Sequence, residues 1–133
     1  MSAVAIARAL LVSNAPLVAV VPAARIMAGV LPLNTVVPAI SVMSAGANPR
    51  LDVKMGSTAH QMTERVQVTL LAASYATQKS ILALIKAACP HTRGSIGGFN
   101  CDSVLPDTEG PDIQDTDAGH YIQSIDLIIK FNP

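Results

Sequence analysis

Three histidines, His60, His91 and His120, and two cysteines, Cys89 and Cys101, are the side chains of this 133-residue sequence best suited to act as nucleophile, base or soft metal ligand. A metal-binding or catalytic pair on a helix needs neighbours three or four residues apart, and no histidine has a partner at i+3 or i+4 on an expected helix. The cysteines lack the CxxC spacing of a zinc site, and two are too few for a disulfide scaffold, so they read as buried thiols. No GxSxG elbow occurs, and a Cys89 and His91 dyad would sit at a helix end without a third group to orient it. The run Gly94-Ser95-Ile96-Gly97-Gly98 matches neither GxGxxG nor a P-loop and is followed by no helix whose free N–H groups could take a phosphate. It reads as a tight hairpin. These residues give no catalytic, cofactor or metal site.

Charge patterning is more informative. Six of the nine acids fall between Asp102 and Asp117: Asp102, Asp107, Glu109, Asp112, Asp115 and Asp117. The spacing of Asp107, Glu109 and Asp112 departs from a calcium loop, because the glycine stands at Gly110 before Pro111 and no closing Glu follows. Formal net charge is zero, which gives the whole chain no general attraction to DNA or to an anionic membrane. The distribution is nonetheless lopsided. Residues 1 to 93 hold eight of the nine Lys and Arg against only Asp52 and Glu64, and residues 94 to 133 hold seven acids against Lys130. The acidic stretch 102–117 therefore reads as a loop that is solvated, meets basic side chains of an adjacent subunit, or lines a channel. Arg50, Lys54 and Arg65 are the basic candidates for such a subunit interface, and Asp107, Glu109, Asp112, Asp115 and Asp117 are the acidic ones.

The elements that must hold these residues follow from hydrophobic periodicity. Residues 1–133 are expected to form one α+β domain, at a length that suits a single core. Half the residues are apolar and only 3% are aromatic, so Val, Leu, Ile and Ala must build that core and no aromatic platform exists for stacking bases. Ala3, Ile6, Ala7, Leu10 and Leu11 predict a helix over 3–13, ended by Asn14 and Pro16, with one more turn over Leu17 to Val21. Apolar residues 9–21 are abutted by Arg8 and interrupted by Ser13, Asn14 and Pro16, which argues against a cleaved signal or a membrane span. A strand is expected over 36–43, and alternation at Val66, Val68 and Leu70 marks another. Between them, 44–61 is poor in apolar residues and rich in turn formers, and reads as a long basic loop or extended arm ordered by a neighbour. Ser74 caps a second helix that Pro90 stops, with Ile81, Leu82, Ile85, Ala88 and Cys89 on one face. A short hairpin through Val104 and Leu105 and a long strand over 119–131 complete an antiparallel or mixed sheet with two helices packed on one face.

Several short stretches, taken in order, resemble the tail terminator or tail completion proteins of long-tailed bacteriophages. They are Leu11-Val12-Ser13-Asn14-Ala15-Pro16-Leu17-Val18-Ala19; Arg25-Ile26 with Gly29 and Leu31-Pro32-Leu33-Asn34; Pro38-Ala39-Ile40-Ser41-Val42; Thr63-Glu64-Arg65-Val66-Gln67-Val68; and Val104-Leu105-Pro106-Asp107 followed by Gly110-Pro111-Asp112. The resemblance spans nearly the full length. It implies a structural virion protein, assembled in the host cytoplasm, that stands in the virion tail at the head-tail interface. Six copies would form a homo-oligomeric ring that caps the tail tube protein and joins it to the head-tail connector protein, with DNA passing through without specific binding. No catalytic residue, cofactor or membrane contact is implied.

Two other readings compete. A head completion or connector protein would lie one layer nearer the capsid in a larger ring. A small host enzyme or ligand-binding domain would show a concave pocket with perturbed ionisable groups.

Overall fold

The computed structural model describes residues 2–29, 36–51, 60–90, 93–115 and 119–132. Two helices open the chain, α1 (Ser2–Ser13) and the short α2 (Ala15–Val20). Asn14 breaks one from the other and caps the next, its side-chain oxygen accepting from the Leu17 N–H at 3.0 Å. A 3-10 turn, Ala23–Arg25, leads into β1 (Ile26–Ala28). Arg8 of α1 ties that turn down by donating from Nε to the Ile26 carbonyl at 2.9 Å. Then come β2 (Ala39–Leu51), β3 (His60–Ala72), α3 (Tyr75–Ala88), β4 (Gly94–Ile96), β5 (Phe99–Glu109), β6 (Ile113–Asp115) and β7 (His120–Asn132).

The strands form one mixed sheet in the order β1-β2-β3-β7-β5-β4, with β6 on β7 beyond the end of β5. Among the described residues β1 and β2 run parallel and the other pairings are antiparallel. Paired residues project to the same side, so the register fixes both faces. Val42, Val68 and Ile125 form one inward row, and Ser41, Thr69 and Ser124 form the adjacent outward row. Helices α1, α2 and α3 pack on one another, and α1 and α3 lie on the inward face. Their stripe Ile6, Ala7, Leu11, Ile81 and Ile85 meets Val66, Val68, Leu70, Leu127 and Ile129, all fully buried. Each large aliphatic side chain hidden this way contributes about 1.5–3 kcal/mol. The fold class is the expected α+β, with three helices in place of two.

The helix expected after Ser74 stands as read: Ser74 Oγ accepts from the Thr77 N–H at 3.2 Å, and the five residues assigned to its inner face are buried. The glycine run makes the β4–β5 hairpin, with Gly97 and Gly98 at φ of 60° and 83°, conformations open to glycine. A Cβ on Gly97 would also come within 3.1 Å of the Ala5 carbonyl oxygen, so the same residue lets the hairpin turn touch α1.

Two expectations need correction. Residues 44–51 and 60–61 are not loop: they extend β2 and β3 into a 13-residue antiparallel pair, from Ala39 opposite Leu71 to Leu51 opposite His60, with a bulge between Ser44 and Gly46. Backbone pairing asks nothing of side-chain polarity, which is why a sequence poor in apolar residues still forms a ladder. Residues 52–59, including Lys54, lie outside the described residues. The acidic stretch likewise is mostly strand, because β5 runs to Glu109 and β6 takes Ile113–Asp115. Gly110 and Pro111 interrupt the pairing between them.

Candidate subunit interface

Strand order turns the charge asymmetry along the chain into a lateral one. β1 and β2 form one edge of the sheet and, with the 3-10 turn before them, contain Arg25 and Arg50 but no Asp or Glu, while Arg8 reaches the same edge from α1, which crosses the inward face as far as the β4–β5 hairpin. The opposite edge is made by β5, β4 and β6, which with their junction carry Asp102, Asp107, Glu109, Asp112 and Asp115, with Arg93 exposed immediately before β4. Asp117 lies outside the described residues.

Asp107, Glu109 and Asp112 are met by cations of the same chain. Arg65 of β3 reaches across β7, binding Asp107 and, at 3.2 Å, Asp126. Hydrogen bonding to Asp107 raises the Arg65 pKa, and the same bond holds the Asp107 carboxyl below the usual carboxylate range. Lys79 of α3 donates to Asp112 at 2.7 Å, which lowers the Asp112 pKa and raises that of Lys79. Lys86, two turns further along α3, pairs with Glu109. Arg65 therefore belongs electrostatically to the acidic side, whereas the sequence reading grouped it with Arg50 and Lys54. Arg50 stands opposite Gln61, beyond the last β3–β7 pair, Met62 with Phe131.

Behind Asp112 lies a polar network that the sequence reading missed. Gln78 is fully buried in α3, and its Nε2 donates to Gln123 Oε1 at 3.0 Å and to Asp112 Oδ1 at 3.2 Å. Lys79 also donates to Gln123, at 3.0 Å, and Gln123 Nε2 donates to the Gly110 carbonyl at 3.1 Å. Tyr75 closes the cluster by donating to Asp112 at 3.0 Å. One signal was readable: Lys79 and Lys86, seven residues apart, share the polar face of α3.

The residues tested for chemistry do not converge. His60 and His120 begin β3 and β7 at opposite ends of the sheet, about 40 Å apart at 3.3 Å per residue. His91 lies outside the described residues. Both thiols are buried, and burial pushes the Cys89 pKa up to about 12 and raises that of Cys101, so neither favours the reactive thiolate. A shallow concavity of about 340 Å³ on the outward face is lined by Ala45, Gly46, Ala47, Thr63, Arg65 and Ile128. Its one ionisable lining residue, Arg65, is held by the two aspartates. Among the described residues no group of His, Cys, Asp and Glu is placed to hold a metal ion, and no helix is long and apolar enough to cross a membrane.

No family model matches the sequence, and no curated protein matches it. The fold, however, is similar to that of a chain in the virion of a native gene transfer agent particle, with a TM-score of 0.70 and 12% identity over 98% of this chain and 94% of that chain.

Proposed function

We propose that this chain is a structural protein of a phage-like virion, a tail terminator or tail completion subunit that works as one member of a ring and not as an enzyme. The observation that carries the reading is the fold likeness to a chain of a gene transfer agent virion, which runs end to end through both chains. The sequence resemblance to tail terminators points the same way and supplies the finer assignment: six copies that cap the tail tube and join it to the head connector.

The geometry supports an assembling subunit. Past Met62 and Phe131, β2 and β3 continue as a pair with no third described strand beside them. The described extension is two residue pairs, Arg50 with Gln61 and Leu51 with His60, and in an assembly it is a part of the sheet left open to a neighbouring subunit. Arg50 lies in that extension, and Asp52 and Lys54 follow it in sequence. An enzyme would need a nucleophile and a base within hydrogen-bond reach, and the described histidine and cysteine positions do not supply them.

The test is to purify virions and locate the chain. Antibody labelling at the junction of head and tail, together with headless tails or tailless heads when the gene is deleted, is the expected outcome. Labelling elsewhere with intact particles would contradict it.

A further inference from the structure

We infer that Glu64 is the charged end of a socket for a basic side chain, Lys or Arg, presented by an adjoining virion protein of another kind. The inference rests on the virion reading above and adds a contact that the fold likeness does not supply.

Glu64 is 4% exposed, yet its Oε2 has no hydrogen-bond partner, and no cation pairs with it among the described residues. The other described carboxylates all have partners. A carboxylate buried alone is costly, and a counter-charge brought from outside removes the cost. Alternation along β3 puts Glu64 on the inward face with Val66 and Val68, and the register sets it between Ala47 of β2 and Ile129 of β7.

The way in lies over the β2 edge. β1 stops opposite Val42, so from Met43 onward no described strand flanks β2 on that side, and Ser44 and Ala47 are exposed. A concavity of about 260 Å³ opens there, lined by Val4, Ala28, Gly29, Val42, Met43 and Ser44. Ser44 pairs with Val66, the inward residue next to Glu64, which sets Ser44 and Glu64 about 8 Å apart at Cα by ordinary sheet spacing. An apolar concavity with a lone carboxylate one inward residue beyond it suits a side chain with an aliphatic stem and a cationic head. The stem lies along Val4, Val42 and Met43, and the head meets Oε2.

A second copy offers little to fill the socket. Arg8, Arg65, Lys79 and Lys86 are held within the chain, and Lys130 stands in mid-sheet between Thr63 and Ser103. Arg25 lies on the socket's own edge, in the turn before β1. Arg93, exposed before β4, is the exception that the experiment covers.

Glu64→Gln keeps the shape and removes the charge. In the full-length purified chain its urea midpoint is expected to equal or exceed that of the wild type, because the lone charge contributes nothing to the isolated fold. In complementation of the gene deletion the same variant is expected to cut the yield of tailed particles roughly tenfold or more, as for a buried ion pair that loses one partner. Ser44→Trp, which fills the concavity and leaves the carboxylate in place, is expected to cause the same loss. A lower midpoint for Glu64→Gln would mean that the carboxylate serves its own fold, and would overturn the inference. Full particle yield with either variant would overturn it too and leave the virion reading standing, whereas intact particles from the deletion itself would overturn both. An equal loss with Arg93→Ala would place a second copy in the socket and overturn the assignment to another protein.

Discussion

Gln78 in α3 donates a 3.0 Å hydrogen bond to Gln123 in β7, joining two buried amides in a core made mostly of aliphatic side chains. Gln123 passes the connection on to the Gly110 carbonyl, so one pair of glutamines fixes the helix, the last strand and the β5–β6 junction together. Truncating a buried, hydrogen-bonded side chain strands its partners, at about 1–3 kcal/mol. Gln123→Ala should lower stability by about that amount in urea unfolding, with hydrogen exchange rising at Gly110 and in the first turn of α3. An unchanged unfolding midpoint would show that the network adds nothing.

Gly110 makes a second, sharper prediction. A Cβ there would lie 2.4 Å from Ser124 Oγ and 3.3 Å from the Ser124 carbonyl oxygen. Gly110→Ala therefore forces the Ser124 hydroxyl to another rotamer and crowds the junction against the carbonyl to which the Gly110 N–H donates at 2.7 Å. A loss of about 1–3 kcal/mol is expected from the strain. Adding Ser124→Ala removes the closest atom and should recover part of it in a double-mutant cycle. Additive losses would mean the two residues are not in contact.

Stability should fall at both ends of the pH range. Asp107 and Asp112 have folded pKa values below the ordinary carboxylate value, through their hydrogen bonds to Arg65 and Lys79. A lowered folded pKa adds stability that is complete above the unfolded value, about 4, and is lost as pH falls through the folded one. The buried Cys89 thiol behaves in the opposite sense, because its folded pKa is raised to about 12. Its contribution is complete below the ordinary thiol value and drains away as pH rises from about 9 toward 12. Cys89→Ala should flatten the alkaline limb of a melting-temperature profile, and Asp112→Asn the acid limb. A limb wholly unchanged in its variant would show that the mutated group adds nothing to it, Asp107 and Cys101 supplying what remains of a limb that shrinks.

Much of the inner layer was legible because packing imposes a period. The stripe of α3 from Ile81 to Cys89 and the alternation Val66, Val68, Leu70 are patterns that burial alone dictates, and the structure buries all of them. The far half of the β2–β3 pair and the end of β5 beyond Leu105 were not legible, because their ladders are made by backbone groups that are the same in every residue. The charge asymmetry was visible as a count, but its meaning as two opposite sides depends on β7 entering between β3 and β5, a long-range pairing that leaves no local mark. For the same reason Arg65 was grouped with the basic residues, although its partner Asp107 stands 42 positions away.

Losing a histidine should not matter to assembly. With His60 and His120 at opposite ends of the sheet, alanine at His60, His91 or His120 is expected to leave particles with attached tails in complementation of a deletion. Abolition of a measurable turnover by any one of them would revive an enzymatic reading.

Native mass spectrometry of the purified chain, from low to high concentration, tests the central claim most directly. The account predicts a closed species of six times the 13.8 kDa chain, with a central hole in negative-stain images. A larger closed ring would move the chain to the connector layer, and a monomer that never associates, alone or with tail tubes, would contradict the account.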